Sequence, residues 1–322
     1  MSTTNPGSTP APPDLEILVR VATLYHMEDR TQEEIAAVMG ISRVKVGRLL
    51  RRARGEGVVE IRVHAHPEVD VALESAIARH HGLRSVVLVD GGPTEETARE
   101  RVGAAAAAHL ARLLRTGSTV AVGMGRNVGA VADHAAETNP RELRFVSAIG
   151  GSAQIGPNVN AAEICRRLAT RFGGTGEVLY APAYADTTAQ RDALLGHDDV
   201  RTALDNARSA AVALVGVGDV GSESHVVRLG CVSEPDMGRL LAAGAVGDIL
   251  GVFFDRDGNT IEDGVQDRVI GLSEADLRAI PCLVAVASES TKGEAVLGAL
   301  RSGLVDVLVA TTAIGRQVES AR

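Results

Sequence analysis

The sequence predicts an α/β protein in two parts: an N-terminal helix-turn-helix domain, then a doubly wound domain on a mostly parallel sheet. Three observations predict it. A capping box, "TQEE", opens a short amphipathic stretch that ends at Gly40 and is joined by "GIS" to a second such stretch. From Ser85 onward, short Val/Leu/Ile/Ala runs alternate with Ala/Leu/Arg-rich helical stretches. Positive charge is also concentrated. From Arg43 to Arg54 six of twelve residues are Arg or Lys and none is acidic, in a chain of net charge −8.

The first element is a tail. "MSTTNPGSTPAPP", residues 1–13, has no charged side chain and no apolar run, so it reads as a disordered Ser/Thr/Pro segment and not as a signal peptide. With no export signal and no run near 18 apolar residues, the expected location is the cytoplasm, with no membrane contact. The helix-turn-helix domain is expected over 14–66. Asp14 is placed to cap a helix carrying Ile17, Leu18, Val21, Leu24 and Tyr25 at helical spacing. Thr31 and Glu34 form the capping box of the next helix. Ala36 is small where two helices cross, and Gly40 suits a left-handed turn. Ser42 caps the following helix, which turns Val46, Leu49 and Leu50 inward and leaves Arg43, Lys45, Arg48, Arg51 and Arg52 outside.

A basic helix behind such a turn is the pattern of a recognition helix, whose first residues reach base edges and phosphates in the major groove of double-stranded DNA. Thr31, Gln32, Ser42, Arg43, Lys45, Gly47 and Arg48 are therefore the candidate DNA-binding residues. Gly47 has two readings, close approach of backbone to DNA or drift at a tolerant site. Gly55 and Gly57 end the helix. "VVEIRV" alternates like a strand, a wing or a hinge, and "EVDVALESAIARHHGL" reads as a connecting helix.

Residues 67–322 form the second domain. Between Asp14 and Arg62 there are nine Lys/Arg to eight Asp/Glu, whereas residues 63–322 hold twenty-four to thirty-three. This larger part is acidic and unsuited to nonspecific binding of a polyanion. Its expected strands lie in "SVVLVD", "STVAVGMG", "LRFVSAIGG", "EVLYAPA", "AAVALVGVG", "GDILGVFFD", "PCLVAVAS" and "LVDVLVAT". Ligands of such sheets bind beyond the carboxyl ends of strands. Glycine-rich turns at 123–129, 150–151 and 216–221 are the candidates. "GVGDVG" at 216–221 matches a dinucleotide fingerprint, but "SESHVVRLGCVSEP" after it offers no clean helix start for a pyrophosphate. In "VAVGMGRNVGAVADHA" a strand ends at Gly123 and Met124–Asn127 lead into a helix, which makes either an anion cradle with Arg126 beside it or a plain tight turn. Cys165, Cys231 and Cys282 fit no metal or disulfide spacing and read as small buried apolar groups. No metal centre and no cofactor are expected.

"TQEEIAAVMGISRVKVGRLLRRARGEGVVEIRV", "VAVGMGRNVGAV", "NAAEICRRLATRFGG", "LYAPA", "LVGVGDV", "GAVGDILGVFFDRDG" and "LVAVASESTKGEAVLGALRSGLVDVLV" together resemble, in order, the SorC-type sugar-binding transcriptional regulators, also filed with DeoR. The resemblance implies an effector domain similar to glucosamine-6-phosphate deaminase and ribose-5-phosphate isomerase. It implies a sugar, polyol or sugar-phosphate effector and a homo-oligomer, typically a tetramer. Carried over, Gly123, Met124, Gly125, Arg126 and Asn127 occupy the phosphate-cradling turn, and Gly150, Gly151 and Asn160 lie at a second loop. Asp248 and Asp255 fall in "GDILGVFFD", and Lys292 would contact the anionic end of the effector. The chain departs from the family at Ala148 and Ile149, where some members carry a cation, and at "VATTAIG", where members often have "TDE".

The expected function is a DNA-binding regulator, not an enzyme, whose dimer or tetramer forms through the large domain and the 67–82 segment. The alternative is a sugar-phosphate isomerase or deaminase with an appended helical domain. Such an enzyme needs a positioned base, and only His225 lies near a candidate ligand turn.

Overall fold

The computed structural model describes residues 13–60, 70–136, 142–152, 156, 159–221, 224–228 and 230–321. The chain divides into two compact units, residues 1–65 and 66–322.

The first unit is three helices, α1 (Pro13–His26), α2 (Gln32–Met39) and α3 (Arg43–Gly55). α1 starts one residue ahead of Asp14, the residue expected to cap it. The capping box forms as expected: Thr31 Oγ1 accepts from Glu34 N–H, and the Glu34 carboxylate accepts from Thr31 N–H at 2.8 Å. Gly40 takes φ 65°, the left-handed conformation that lets the chain leave α2, and Ser42 Oγ accepts from Lys45 N–H to start α3. Val21, Leu24, Ile35 and Val46 form the buried core, with Ala36, Ile41 and Leu49 against it. Leu18, Ala22 and Ala53 close the other end. Val58 and Val59 lie in a bend, and the rest of "VVEIRV" falls outside the described residues, as do residues 1–12 of the tail.

The second unit is a three-layer α/β domain. Its main sheet contains β1 (Ser85–Val89), β2 (Thr119–Val122), β3 (Arg144–Ser147), β4 (Thr175–Glu177), β5 (Val212–Gly216), β9 (Leu283–Ala287) and β10 (Val307–Thr311). The order is β1-β10-β9-β5-β2-β3-β4, and every pairing is parallel. Alternate residues of every strand but β4 enter two cores. On one face Ala121, Val215, Ala285 and Leu308 meet α4 (Val71–His81), α9 (Asp198–Arg208), α13 (Gly293–Arg301) and α14 (Thr312–Ser320). On the other, Val122, Leu214, Val286 and Val309 meet α5 (Glu95–Leu113), α6 (Arg126–His134) and α7 (Ala161–Phe172). Burial on both faces is why these strands read as unbroken apolar runs.

Three expectations are corrected. α4 is no mere connector: Ile77 is fully buried in the sheet's core and Glu74 accepts the Leu88 N–H of edge strand β1 at 2.7 Å. "GDILGVFFD" is two strands, not one. β7 (Ala245–Ile249) and β8 (Val252–Asp255) fold back antiparallel about Leu250 and Gly251, both at positive φ, and β6 (Gly218–Asp219) completes a separate three-stranded sheet. "VLYAPA" forms no ladder but only an isolated bridge, Gly151 to Pro182. The three cysteines are buried, as expected, and no disulfide joins them; burial pushes the Cys165 thiol up to about 12.

Candidate functional site

β2 and β5 are neighbours in space, and from them the chain winds outward in opposite directions, through β3 and β4 on one side and β9 and β10 on the other. A doubly wound sheet opens a crevice at the carboxyl ends of such a strand pair. A pocket lies there. Met124, Gly125, Arg126 and Asn127 line it after β2, Gly216 to Asp219 after β5, and Glu289 and Lys292 after β9. Asp248, Leu250 and Gly251 enter from the β7–β8 hairpin, with Ile149, Tyr184 and Val226 closing the side.

Two residues organise the charge. Glu289 is 4 % exposed. One oxygen accepts from Asn127 Nδ2 at 2.8 Å and lies 3.4 Å from Lys292 Nζ, and the other lies 3.5 Å from Arg126 and 3.9 Å from Arg99. Burial alone would raise this carboxyl, but Lys292, Asn127 and Arg126 outweigh it and hold it at about 2. Ser288 Oγ donates to Asn127 Oδ1 at 2.6 Å, fixing the amide so that its N–H₂ faces Glu289. Lys292, expected at the effector's anionic end, is buried and donates to Val217 O at 2.9 Å.

Asp248 is the second. It is 5 % exposed; Oδ2 accepts Gly251 N–H at 2.9 Å, and Oδ1 is buried without a hydrogen-bond partner among the described residues. Burial pushes its carboxyl up to about 6, Asp219 adds to the rise, and Gly251 N–H and Lys292 oppose it. Gly218 makes room for it: a Cβ there would fall 1.9 Å from Asp248 Oδ1. The second glycine of "GVGDVG" therefore serves a carboxylate across a strand pair, and the motif runs into β6, not into a helix that could hold a pyrophosphate.

The residues expected at the effector site divide into groups. Met124, Gly125, Arg126, Asn127, Asp248 and Lys292 come together in the pocket. Gly123 packs behind it, where a Cβ would meet Leu250 at 3.1 Å. Gly151 and Asn160 line an adjoining groove that shares Ile149 and Tyr184 with the pocket, and the Asn160 side chain caps α7. Gly150 lies against backbone, where a Cβ would fall 2.3 Å from Pro182 O, so its role is close packing. Asp255 does not join them. In the antiparallel register it pairs with Ala245, at the far end of the hairpin from Asp248, and it closes the 255–259 turn by accepting from Asp257 and Asn259. Glu289 and Tyr184 are pocket residues that sequence reasoning missed, and Asp219 lies in the 216–221 candidate turn without having been singled out. Glu289 lies within the family-like segment "LVAVASESTKGEAV", where Lys292 was the residue singled out; Asp219 enters from the small sheet and Tyr184 from irregular chain.

In the first unit Arg43, Lys45 and Arg48 are exposed on α3, with Ser42 at its cap and Thr31 and Gln32 at the start of α2. Arg43 pairs with Glu33 at 3.1 Å across the turn. Gly47 faces α2: a Cβ there would lie 3.3 Å from Gln32 Oε1, so the close approach that glycine permits is to a neighbouring helix.

The family model described as "Putative sugar-binding domain" matches residues 65–318. A crystal structure titled "Putative Sugar-Binding Domain of Transcriptional Repressor from Vibrio fischeri" is 41 % identical, with a TM-score of 0.73 over 78 % of this chain and 99 % of that one. The chain belongs to the SorC-type sugar-binding transcriptional regulators. Among curated relatives of this SorC-type chain, the transcriptional regulator LsrR of Enterobacter sp. (strain 638) is 27 % identical over 307 residues, 94 % of this chain and 92 % of the relative. The erythritol catabolism regulatory protein EryD of Brucella abortus (strain 2308) is 28 % identical over 294 residues, 90 % and 92 % of the two. The full-length sorbitol operon regulator SorC from Klebsiella pneumoniae, 24 % identical, shares the fold with a TM-score of 0.74 over 95 % of this chain and 99 % of that one. These relatives are regulators, which sets aside the isomerase or deaminase alternative. No helix among the described residues of this SorC-type chain is long and apolar enough to cross a membrane.

Proposed function

We propose that the chain is a cytoplasmic, DNA-binding transcriptional regulator whose operator affinity is set by a small sugar-like effector bound at the carboxyl ends of β2, β5 and β9. One observation carries this reading. A single chain joins a helix-turn-helix with an exposed cationic second helix to a sugar-binding-family domain whose crevice is lined by buried, charged side chains. Arg43, Lys45 and Arg48 would meet the groove, with Thr31, Gln32, Ser42 and Gly47 beside them. One helix-turn-helix reads only a few base pairs, so operator specificity calls for a two-fold pair of them, hence a dimer or tetramer. Regulation requires the effector to bind DNA-competent and DNA-incompetent assemblies with different affinity.

The test is selection of genomic fragments on the purified full chain, followed by fluorescence anisotropy across a salt series. The expected result is a discrete site whose affinity falls steeply with salt, and a particle of at least two subunits by sedimentation. Equal affinity for all fragments, or a monomer on the selected site, would refute it.

A further inference from the structure

The unsatisfied atoms of the pocket are acceptors. Among the described residues, Asp248 Oδ1 is buried without a hydrogen-bond partner, and so is the Tyr184 hydroxyl, which can accept as well as donate; Glu289 Oε1 also accepts no hydrogen bond and has only the longer ion-pair contacts to Arg126 and Arg99. All three residues line the pocket. Of its cations, Lys292 is buried and engaged. Lys292 Nζ is held by Val217 O and Glu289, and Arg126 faces Glu289. The described lining sets Arg126 and Lys292 against Asp219, Asp248 and Glu289, an acidic balance. Residues 153–155, 157–158, 222–223 and 229, outside the described set but next in sequence to lining segments, contain no Lys or Arg.

Glu289 also lies against side chains of the first turn of α6. The cap of α6, Gly125, has no side-chain hydrogen bond to offer, and the carboxylate reaching the first turn of that helix is Glu289, through Asn127. A helix start attracts negative charge, and here a carboxylate of the chain lies beside it, bonded to the Asn127 side chain. A phosphate ester entering this crevice would set a charge of about −1.5 to −2 against a carboxylate that three neighbours keep ionised. A neutral molecule rich in hydroxyls meets the opposite situation. Each hydroxyl supplies the donor that a stranded acceptor lacks, and leaving a buried acceptor unpaired is costly.

Resting on the reading of this pocket as the effector site, we infer that the effector is an uncharged polyhydroxyl compound, a free sugar or polyol. Its hydroxyls donate to Asp248 and Glu289 and meet Tyr184, while Glu289 keeps phosphate esters out.

Calorimetry and thermal shift on the full chain test this with matched pairs: pentoses, hexoses and straight-chain polyols of four to six carbons, each beside its terminal phosphate monoester, with inorganic phosphate alone as a further probe. The expected binder is a free compound, and its phosphate ester binds at least about tenfold more weakly, since like-charge juxtaposition is costly. Glu289→Gln keeps the shape and the Asn127 bond but removes the resident anion. It is expected to gain stabilisation by millimolar inorganic phosphate that the wild type lacks. The wild-type pairs decide the matter even if that variant does not fold. A phosphate ester that binds more tightly than its free partner overturns the inference and leaves the effector site standing. If no member of either class binds, the effector reading itself fails and this inference with it.

Discussion

Asp248→Asn should make the protein more stable at neutral and alkaline pH, although it alters a buried polar residue of the pocket. Asn keeps an oxygen for the Gly251 N–H bond of 2.9 Å and puts an uncharged group where Asp248 Oδ1 has no hydrogen-bond partner among the described residues. What disappears is the burden of an ionised, buried carboxylate. Its pKa is raised from 3.8 to about 6. A group held above its unfolded value binds more protons in the native state between those two pH values, so native stability falls as pH rises from about 4 to about 6 and stays lower above that. Two units at 1.36 kcal/mol each give about 3 kcal/mol as the largest difference, reached above pH 7. Below about pH 4 both states hold the proton and the gap closes. The assay is urea unfolding of wild type and variant, without effector, from pH 4 to pH 8. Taking the difference between the two proteins removes the common acid response of groups such as Glu289 and Asp236, both held at about 2, whose stabilising charge is lost in acid. The variant should gain on the wild type as pH rises. A variant less stable than wild type at pH 8, or a gap that does not change with pH, would refute the assignment of Asp248 as a strained, charged member of the lining.

Gly47→Ala should stabilise the first unit by up to about 1 kcal/mol through helix propensity, because the new methyl meets only the movable end of Gln32 at 3.3 Å. If operator affinity falls while stability rises, Gly47 also serves the DNA face. Arg48→Ala should cost about 1–3 kcal/mol of operator affinity if it reads a base edge, with no loss of thermal stability, because the side chain is exposed on α3. Unchanged affinity at the selected site would remove Arg48 from the interface.

Much of this protein is legible in its residues because the signals are local. Thr31 and Glu34 find each other three residues apart, Gly40 takes the one conformation that favours it, and Ser42 caps the helix beside it. β1, β2, β5, β9 and β10 each follow from a bounded apolar run. Lys292 was legible through family resemblance, but its burial against Val217 was not. What escaped depends on contacts distant in sequence. An apolar run such as "GDILGVFFD" does not say how many strands it makes, and Leu250 at φ 52° gives no warning that the chain reverses there. Once it does, register carries Asp255 away from Asp248. Glu289 becomes the centre of the charge network only because β9 lies two strands from β2, which brings Asn127 within 2.8 Å across 162 residues. The second glycine of "GVGDVG" looked like a cofactor signature, and its reason is the Asp248 side chain thirty residues on.

The account rests on coupling between the pocket and the DNA-binding unit. The most direct test is operator affinity of wild type and Lys292→Met, each measured by anisotropy with and without the effector found by the paired screen. Met keeps the aliphatic stem of Lys292 and removes the charge that meets Glu289 at 3.4 Å and the bond to Val217 O. The expected result is a wild-type operator affinity that the effector changes by about 5- to 150-fold, the usual range of such coupling. Lys292→Met should bind the operator as wild type does without effector and lose that response. A variant that responds at the same effector concentration as wild type, or a wild type whose DNA affinity no bound sugar or polyol alters, would contradict the account.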